Sequence, residues 1–277
     1  IGIQTFSGGK DSASPQHAVL LGMSGAGKSV TVCDLLTQTE GYFGYTVIIE
    51  EGLSYGIYTA TVEEGARPII IHPDGDLTIN YLDTKGLPLT PDHLSASTAL
   101  VARMIGTSAQ EDKQMLRQAQ IAKYLNLLYE DSFQDWQKKR HDQLLVIARH
   151  ALALQQFRAE RMPPGATSLE TFADFRDWRA VNPAEAEAYL AQFDEAEALK
   201  FLKEPKTSKE VRNLAFAYFT PEEFPTHRML QELMMLDPMG AERDQIMEIA
   251  TLILPWCRDG NYGCLFDGTS NLSLTGK

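Results

Sequence analysis

The sequence predicts an α/β fold, a mostly parallel sheet interrupted by an inserted all-α subdomain, and three observations carry that prediction. The apolar run Ala18-Val19-Leu20-Leu21 leads into a glycine-rich segment and then into an amphipathic helix. Short runs rich in Ile and Val recur before residue 82. After Pro91 the apolar residues change to helical spacing and hold it through most of the remaining chain.

Taken in order, Gln4-Thr5-Phe6 is expected as an edge strand and residues 18–21 as the buried strand before the glycine-rich turn. Val30, Val32, Leu35 and Leu36 form the apolar face of the first helix. Thr46-Val47-Ile48-Ile49-Glu50 reads as a second buried strand and Pro68-Ile69-Ile70-Ile71-His72 as a third. The turn Pro73-Asp74-Gly75-Asp76 then leads to a strand at Leu77-Thr78-Ile79-Asn80-Tyr81. One helix and then short turns between these runs suggest a parallel core with antiparallel additions. Helices follow at 92–105 and from Glu111 to about Arg140, where Leu116, Ile121, Leu125 and Leu128 share a face. Asn182-Pro183-Ala184-Glu185 places an N-cap, a first-turn proline and an acid at the head of a helix reaching about Lys203. Thr207-Ser208-Lys209-Glu210 and Thr220-Pro221-Glu222-Glu223 fit the capping-box pattern. A last helix, about 241–254, ends at Pro255, and residues 262–267 return to strand character. The organisation is therefore 1–110 for the first part of the core, 111–237 for the helical insertion, and 238–277 for the return to the core. Phe172, Phe175, Trp178, Tyr189 and Phe193 are assigned to packing between helices rather than to base stacking.

Residues 22–29, Gly22-Met23-Ser24-Gly25-Ala26-Gly27-Lys28-Ser29, form a complete G-x-x-x-x-G-K-[ST] phosphate-binding loop. Such a turn points backbone N–H groups inward, and the following helix adds the positive end of its dipole. The nucleotide site is expected to run from Gly22, Met23, Ser24, Gly25, Ala26 and Gly27 through Lys28 and Ser29 to Val30, taking ATP. Lys28 is placed to reach the β- and γ-phosphates, and the Ser29 hydroxyl to ligate Mg²⁺. A chance glycine-rich turn is disfavoured because strand, loop and helix signals all coincide.

Hydrolysis needs a second element, an apolar strand ending in an acid beside the loop. Val47-Ile48-Ile49-Glu50-Glu51 has the composition but lies where the strand after the first helix belongs, and Leu265-Phe266-Asp267-Gly268 reads as a hairpin turn. Glu51 is carried beside Lys28 as a candidate catalytic residue, with a structural or indirect role for Glu50 and Glu51 as the leading alternative. The principal catalytic acid is expected beyond Lys277.

Composition narrows the partners. A chain of 277 residues with 44% hydrophobic content can bury a sizeable core. No apolar run approaches the ~18 residues of a membrane span, and the N-terminus carries neither a Met start nor a signal pattern, as expected of a soluble piece of something longer. The three cysteines include no C-x-x-C pair, and the six histidines show no H-E-x-x-H spacing, so neither a disulfide framework nor a zinc site is indicated. A net charge of −12 disfavours a general nucleic-acid surface. Lys138-Lys139-Arg140 is a short basic run of the kind usually found on a solvated helix face. The helical block is mostly acidic around Glu185, Glu187, Asp194, Glu195 and Glu197, which suits partners or neighbouring subunits better than phosphate.

The phosphate loop, the segment Ile48-Ile49-Glu50-Glu51-Gly52-Leu53-Ser54-Tyr55, the run at 77–81, the helical block and Gly260-Asn261-Tyr262-Gly263-Cys264-Leu265-Phe266-Asp267-Gly268 together resemble the motor ATPases of conjugative type IV secretion systems, the CagE/TrbE/VirB class. The resemblance implies a RecA-like core with a helical subdomain, and ATP hydrolysis that energises assembly or substrate transfer. It also implies a homo-oligomer, hexameric or a dimer-based array, in the cytoplasm at the inner-membrane face, working with secretion-channel components. Where that family usually has Asp, this sequence has Glu50 or Glu51. Two other readings stay open: a DNA translocase or coupling protein of the HerA/FtsK group, and an ATP-binding assembly module without hydrolysis.

Overall fold

The computed structural model describes residues 19–42, 46–62, 68–72, 75–236 and 243–272. The chain divides into two compact units, Ile1–Ile70 and Ile71–Lys277. The expected edge strand at Gln4-Thr5-Phe6, the first residue of the run at 18–21, Pro73-Asp74 and the start of the helix at 241 lie outside the described residues.

The expected α/β fold, with its RecA-like core, is overturned. Among the described residues there is no strand and no sheet, and the regular structure is helical throughout. A strand exists only through a ladder that pairs its backbone with a neighbour, and the Ile/Val runs of the first unit have none. Residues 19–23, 46–50 and 68–70 are irregular, with Val19 82%, Leu21 87%, Val47 68% and Ile49 94% exposed. Residues 77–80 are pinned instead by the C-terminal segment. The Ile79 N–H donates to the Leu265 carbonyl at 2.7 Å and the Asn271 N–H to the Thr78 carbonyl at 3.0 Å. Asn271 also accepts from the Thr78 N–H and donates to the Asp76 carbonyl. The strand expected at 262–267 is a short helix. Gly260 and Gly263 permit the tight reversal before it, since a Cβ at either would collide with the backbone at Pro255 or Cys257.

The first unit holds helix α1 (Lys28–Thr39), a 3-10 turn (Glu40–Tyr42) and helix α2 (Gly56–Val62), with no buried residue among those described. The second unit holds ten helices among its described residues: α3 (Pro91–Met104), α4 (Glu111–Lys139), α5 (His141–Arg161), α6 (Ser168–Val181), α7 (Pro183–Leu190), α8 (Glu195–Lys203), α9 (Pro205–Ala215), α10 (His227–Leu236), α11 (Arg243–Leu252) and α12 (Gly263–Phe266). Thr90 caps α3 by accepting from the His93 N–H, and Pro91 supplies the first turn. The helix expected from Pro183 to about Lys203 is broken at residues 191–194, because Asp194 and Glu197 form a capping box that starts α8 anew. Thr207 caps nothing: α9 begins at Pro205, and its hydroxyl donates back to Phe201 and Glu204 carbonyls. Thr220 and Glu223 make a turn rather than a helix start, with the Thr220 N–H donating to Glu223.

The core forms on two long helices. Helices α3, α10 and α11 pack on α4, whereas α6, α7, α8 and α9 gather on α5. Ile121, Tyr124, Leu125, Leu128 and Tyr129 of α4 share one cluster with Ile147 of α5, Phe201 of α8, Val211 of α9, Leu230 of α10 and Ile249 of α11. A satellite cluster joins Phe157 of α5 to Phe175 and Tyr189, with Trp178 and Phe193 beside it, so those aromatics pack between helices.

Three histidines are bonded to tyrosines inside this unit: His93 to Tyr129, His150 to Tyr218 and His227 to Tyr81. Burial holds all three imidazoles neutral by lowering their pKa, that of His150 to about 4 with the Arg179 charge adding to the effect. The unfolded chain takes up a proton at His150 near pH 6.5 while the folded chain resists until about 4. The contribution of His150 to stability is therefore present in full above pH 6.5 and is lost, by up to about 3 kcal/mol, as the pH drops toward 4. Urea midpoints measured between pH 4 and 7 are expected to show this slope, and His150→Gln to flatten it by about one proton.

Candidate functional site

The phosphate loop closes onto α1 as its sequence requires. Gly25 and Gly27 adopt φ of 77° and 81°, left-handed values that a residue with a Cβ rarely takes. Gly27 serves as the N-cap, so α1 begins at Lys28. The Ala26 N–H donates to the Met23 carbonyl at 3.2 Å, and the first helical bond runs from the Thr31 N–H to the Gly27 carbonyl at 2.9 Å. No side chain caps this helix and no acid occupies its first turn. Its leading N–H groups, at Lys28, Ser29 and Val30, thus face outward at the positive end of the dipole.

Lys28 bends back over the loop. Its ammonium donates to the Gly22 and Met23 carbonyls, both at 2.8 Å. A Cβ at Gly22 would meet Lys28 Cγ at 3.3 Å, so the first glycine makes room for the lysine stem. Above Gly25 and Gly27 the space is open to 4 Å. The Ser29 hydroxyl, half-buried in the first turn, makes no side-chain hydrogen bond among the described residues. This donor set fits a polyphosphate and its Mg²⁺: outward N–H groups, one ammonium, one hydroxyl, and glycines where a Cβ would narrow the cradle.

Glu50 and Asp267, two of the acids read as strand ends, make structural hydrogen bonds. Glu50 accepts from the Ser54 N–H at 2.9 Å and the Tyr55 N–H at 3.0 Å, spending both oxygens on the turn before α2. Glu51 is exposed on that turn, and among the described residues no hydrogen bond joins either acid to the phosphate loop. Asp267 is buried in the second unit, where it accepts from the Arg228 N–H at 2.9 Å and the Arg258 N–H at 2.7 Å. It fastens the start of α10 to the reversal before α12. The Lys138-Lys139-Arg140 run does not gather into a patch, since Lys138 pairs with Asp135 and Arg140 with Glu223.

No rival chemical centre stands out among the described residues. Among the described residues no group of three or more His, Cys, Asp and Glu could hold a metal ion. Burial, with Asp267 adding to it, pushes the Cys257 thiol up to about 11, which leaves it protonated and inert at neutral pH. A groove of about 420 Å³ between α3 and α4 is lined by residues such as Leu94, Thr98, Met115 and Asn126, and no lining residue titrates. The histidine–tyrosine pairs leave no local signal in the sequence because their partners are 36 to 146 positions apart. No helix among the described residues is long and apolar enough to cross a membrane. No family model matches the chain, and neither does any curated protein or solved structure.

Proposed function

We propose that the chain binds ATP with Mg²⁺ at Gly22 to Val30 and works as a P-loop ATPase that energises assembly or substrate transfer in a conjugative secretion machine. The observation that carries the reading is the complete phosphate-loop motif closing onto α1, whose N-terminus no side chain caps, with the Lys28 ammonium folded over it. Backbone N–H groups of the loop and first turn hold phosphate oxygens, Lys28 neutralises their charge, and Ser29 ligates the metal, which draws charge off the phosphates. Sequence resemblance extends the reading to a homo-oligomer at the cytoplasmic side of an inner membrane, in contact with channel components. An ATP-binding assembly module without hydrolysis is the second reading, favoured by the engagement of Glu50 and Asp267 in structural hydrogen bonds.

Calorimetry with ATP, with and without Mg²⁺, tests the site. Ser29→Ala is expected to weaken Mg²⁺-dependent binding about tenfold and to leave Mg²⁺-free binding within about twofold, because only a metal ligand is lost. Equal losses under both conditions would remove the metal role from Ser29, and no binding by the native chain would sink the whole assignment. Phosphate release in the same samples separates the two readings.

A further inference from the structure

Residues 75–90 have no regular structure and cross the helical unit as a strap, with Asn80, Leu82, Asp83 and Thr84 buried. Two neighbouring side chains fasten it to the start of α10. The Asn80 amide donates to the Pro225 carbonyl at 3.0 Å, and the Tyr81 hydroxyl lies 2.8 Å from Nδ1 of His227, the first residue of α10. One position on, the Leu82 carbonyl accepts from the Tyr129 hydroxyl of α4 at 2.7 Å, and that hydroxyl lies 3.0 Å from Nε2 of His93 on α3. Hydrogen-bond direction separates the two histidines. Nε2 of His227 faces the Ile253 carbonyl at 3.4 Å, which can only accept, so the ring proton is assigned to Nε2 and Nδ1 accepts from Tyr81. A second proton would turn Nδ1 into a donor, and the phenol, with no other hydrogen bond among the described residues, would have to turn its own proton away. Tyr129 already donates to Leu82, so it accepts from Nε2 of His93, which carries a proton whether that ring is neutral or charged. Charging His93 therefore keeps its bond, and the Asp83 carboxylate nearby favours the charge. Charging His227 opposes its bond at a site that is 0% exposed and stands at the positive end of the α10 dipole.

We propose that His227 is an acid-sensitive latch: its neutral imidazole holds Tyr81, and its charged form releases residues 80–83 of the strap while the helices stay folded. The groups around it decide the direction of the switch. Tyr81 faces it from the strap, Tyr129 of α4 and Cys257 after the last 3-10 turn lie beside Tyr81, and Asp267 follows α12. Of these only Asp267 is charged at neutral pH, and it already accepts from the Arg228 and Arg258 N–H groups. The Arg228 guanidinium, next along α10, is turned to Glu232 and Asp259, and Glu248 of α11 to Lys113 and Arg117. Burial outweighs both the Ile253 bond and the Asp267 charge, and it holds the imidazole below its ordinary pKa. A released ring returns to the ordinary value near 6.5, so opening takes up a proton. The latch is therefore shut above pH 6.5 and loosens as the pH falls below it.

The latch does not depend on the nucleotide reading. Amide exchange of the full chain, followed by NMR between about pH 4.5 and 7 and corrected for the intrinsic rate at each pH, tests it. The Leu82 and Asp83 N–H groups, which donate to the Asn80 side chain and carbonyl, report the opening. Their protection is expected to stay below that of Leu125 in the core of α4, and to fall by up to about tenfold per pH unit below pH 6.5, as uptake of one proton requires. His227→Gln, which keeps a donor and an acceptor without a charge, should flatten that slope, and His93→Gln should leave it in place. Nitrogen-15 shifts of the native imidazole should place the His227 proton on Nε2 at pH 7, a reading that needs no variant to fold. A native chain without the slope, or a His227→Gln chain that keeps it, overturns the latch. So does a slope that His93→Gln removes, protection at Leu82 and Asp83 equal to that of Leu125 at every pH, or a His227 proton found on Nδ1.

Discussion

Replacing Lys28 with alanine is expected to cost about 3 kcal/mol or more of ATP affinity, roughly a hundredfold in Kd. The ammonium stands over the loop through the Gly22 and Met23 carbonyls, so its charge is already at the mouth of the cradle. Hydrogen bonds to charged groups contribute about 1.5 to 3 kcal/mol each, and a polyphosphate offers this amine more than one oxygen. The substitution leaves α1 itself little affected, since alanine is the best helix former and Gly27 still provides the left-handed N-cap. Circular dichroism should therefore be unchanged while calorimetry loses most of its signal. Unaltered ATP binding by a folded Lys28→Ala chain would falsify the nucleotide assignment. Loss of binding together with loss of helix would point instead to the two carbonyl contacts as a support of the loop.

The local features were the legible ones. The phosphate loop needs eight consecutive residues, and its glycines, its helix start and its lysine follow from their order. Helices α3 and α4 lie within a residue or so of their expected bounds because their periodicity and their punctuation, Thr90-Pro91 before one and Arg140 after the other, agree. Strands were misread for the opposite reason. The run Val47-Ile48-Ile49 has strand composition, but composition does not provide the neighbour whose backbone completes a ladder. At Asp194 the apolar pattern continues without a break, although the carboxylate and Glu197 satisfy two backbone donors and restart the helix. Glu50 looked like a strand-end acid and is a turn acceptor, a distinction that depends on the Ser54 and Tyr55 N–H groups curling back toward it. Asp267 is tied to Arg228, 39 residues earlier, and no short window of sequence could have displayed that bond.

Phe216→Ala is expected to be the most damaging single change in the second unit, at about 3 to 5 kcal/mol. The ring is fully buried where the 3-10 turn after α9 meets α4. It meets Tyr129 edge-on with centroids 5.2 Å apart and lies 4.6 Å from Phe219 and 6.2 Å from Phe224, so one side chain ties α4 to two segments beyond α9. Removing it leaves a cavity among rings that cannot all collapse inward, because Tyr129 is fixed by its hydroxyl to the Leu82 carbonyl at 2.7 Å and Trp136 is stacked on Phe219. Such a loss is a large part of the ~5 to 15 kcal/mol by which domains are stable. Urea unfolding followed by tryptophan fluorescence, to which buried Trp136 contributes, should show the midpoint falling steeply, with Phe216→Leu losing less than half as much since most of the volume is kept. A loss below about 1 kcal/mol for the alanine variant would mean that this aromatic cluster packs too loosely to organise the unit, and that α4 is held chiefly by α3, α10 and α11.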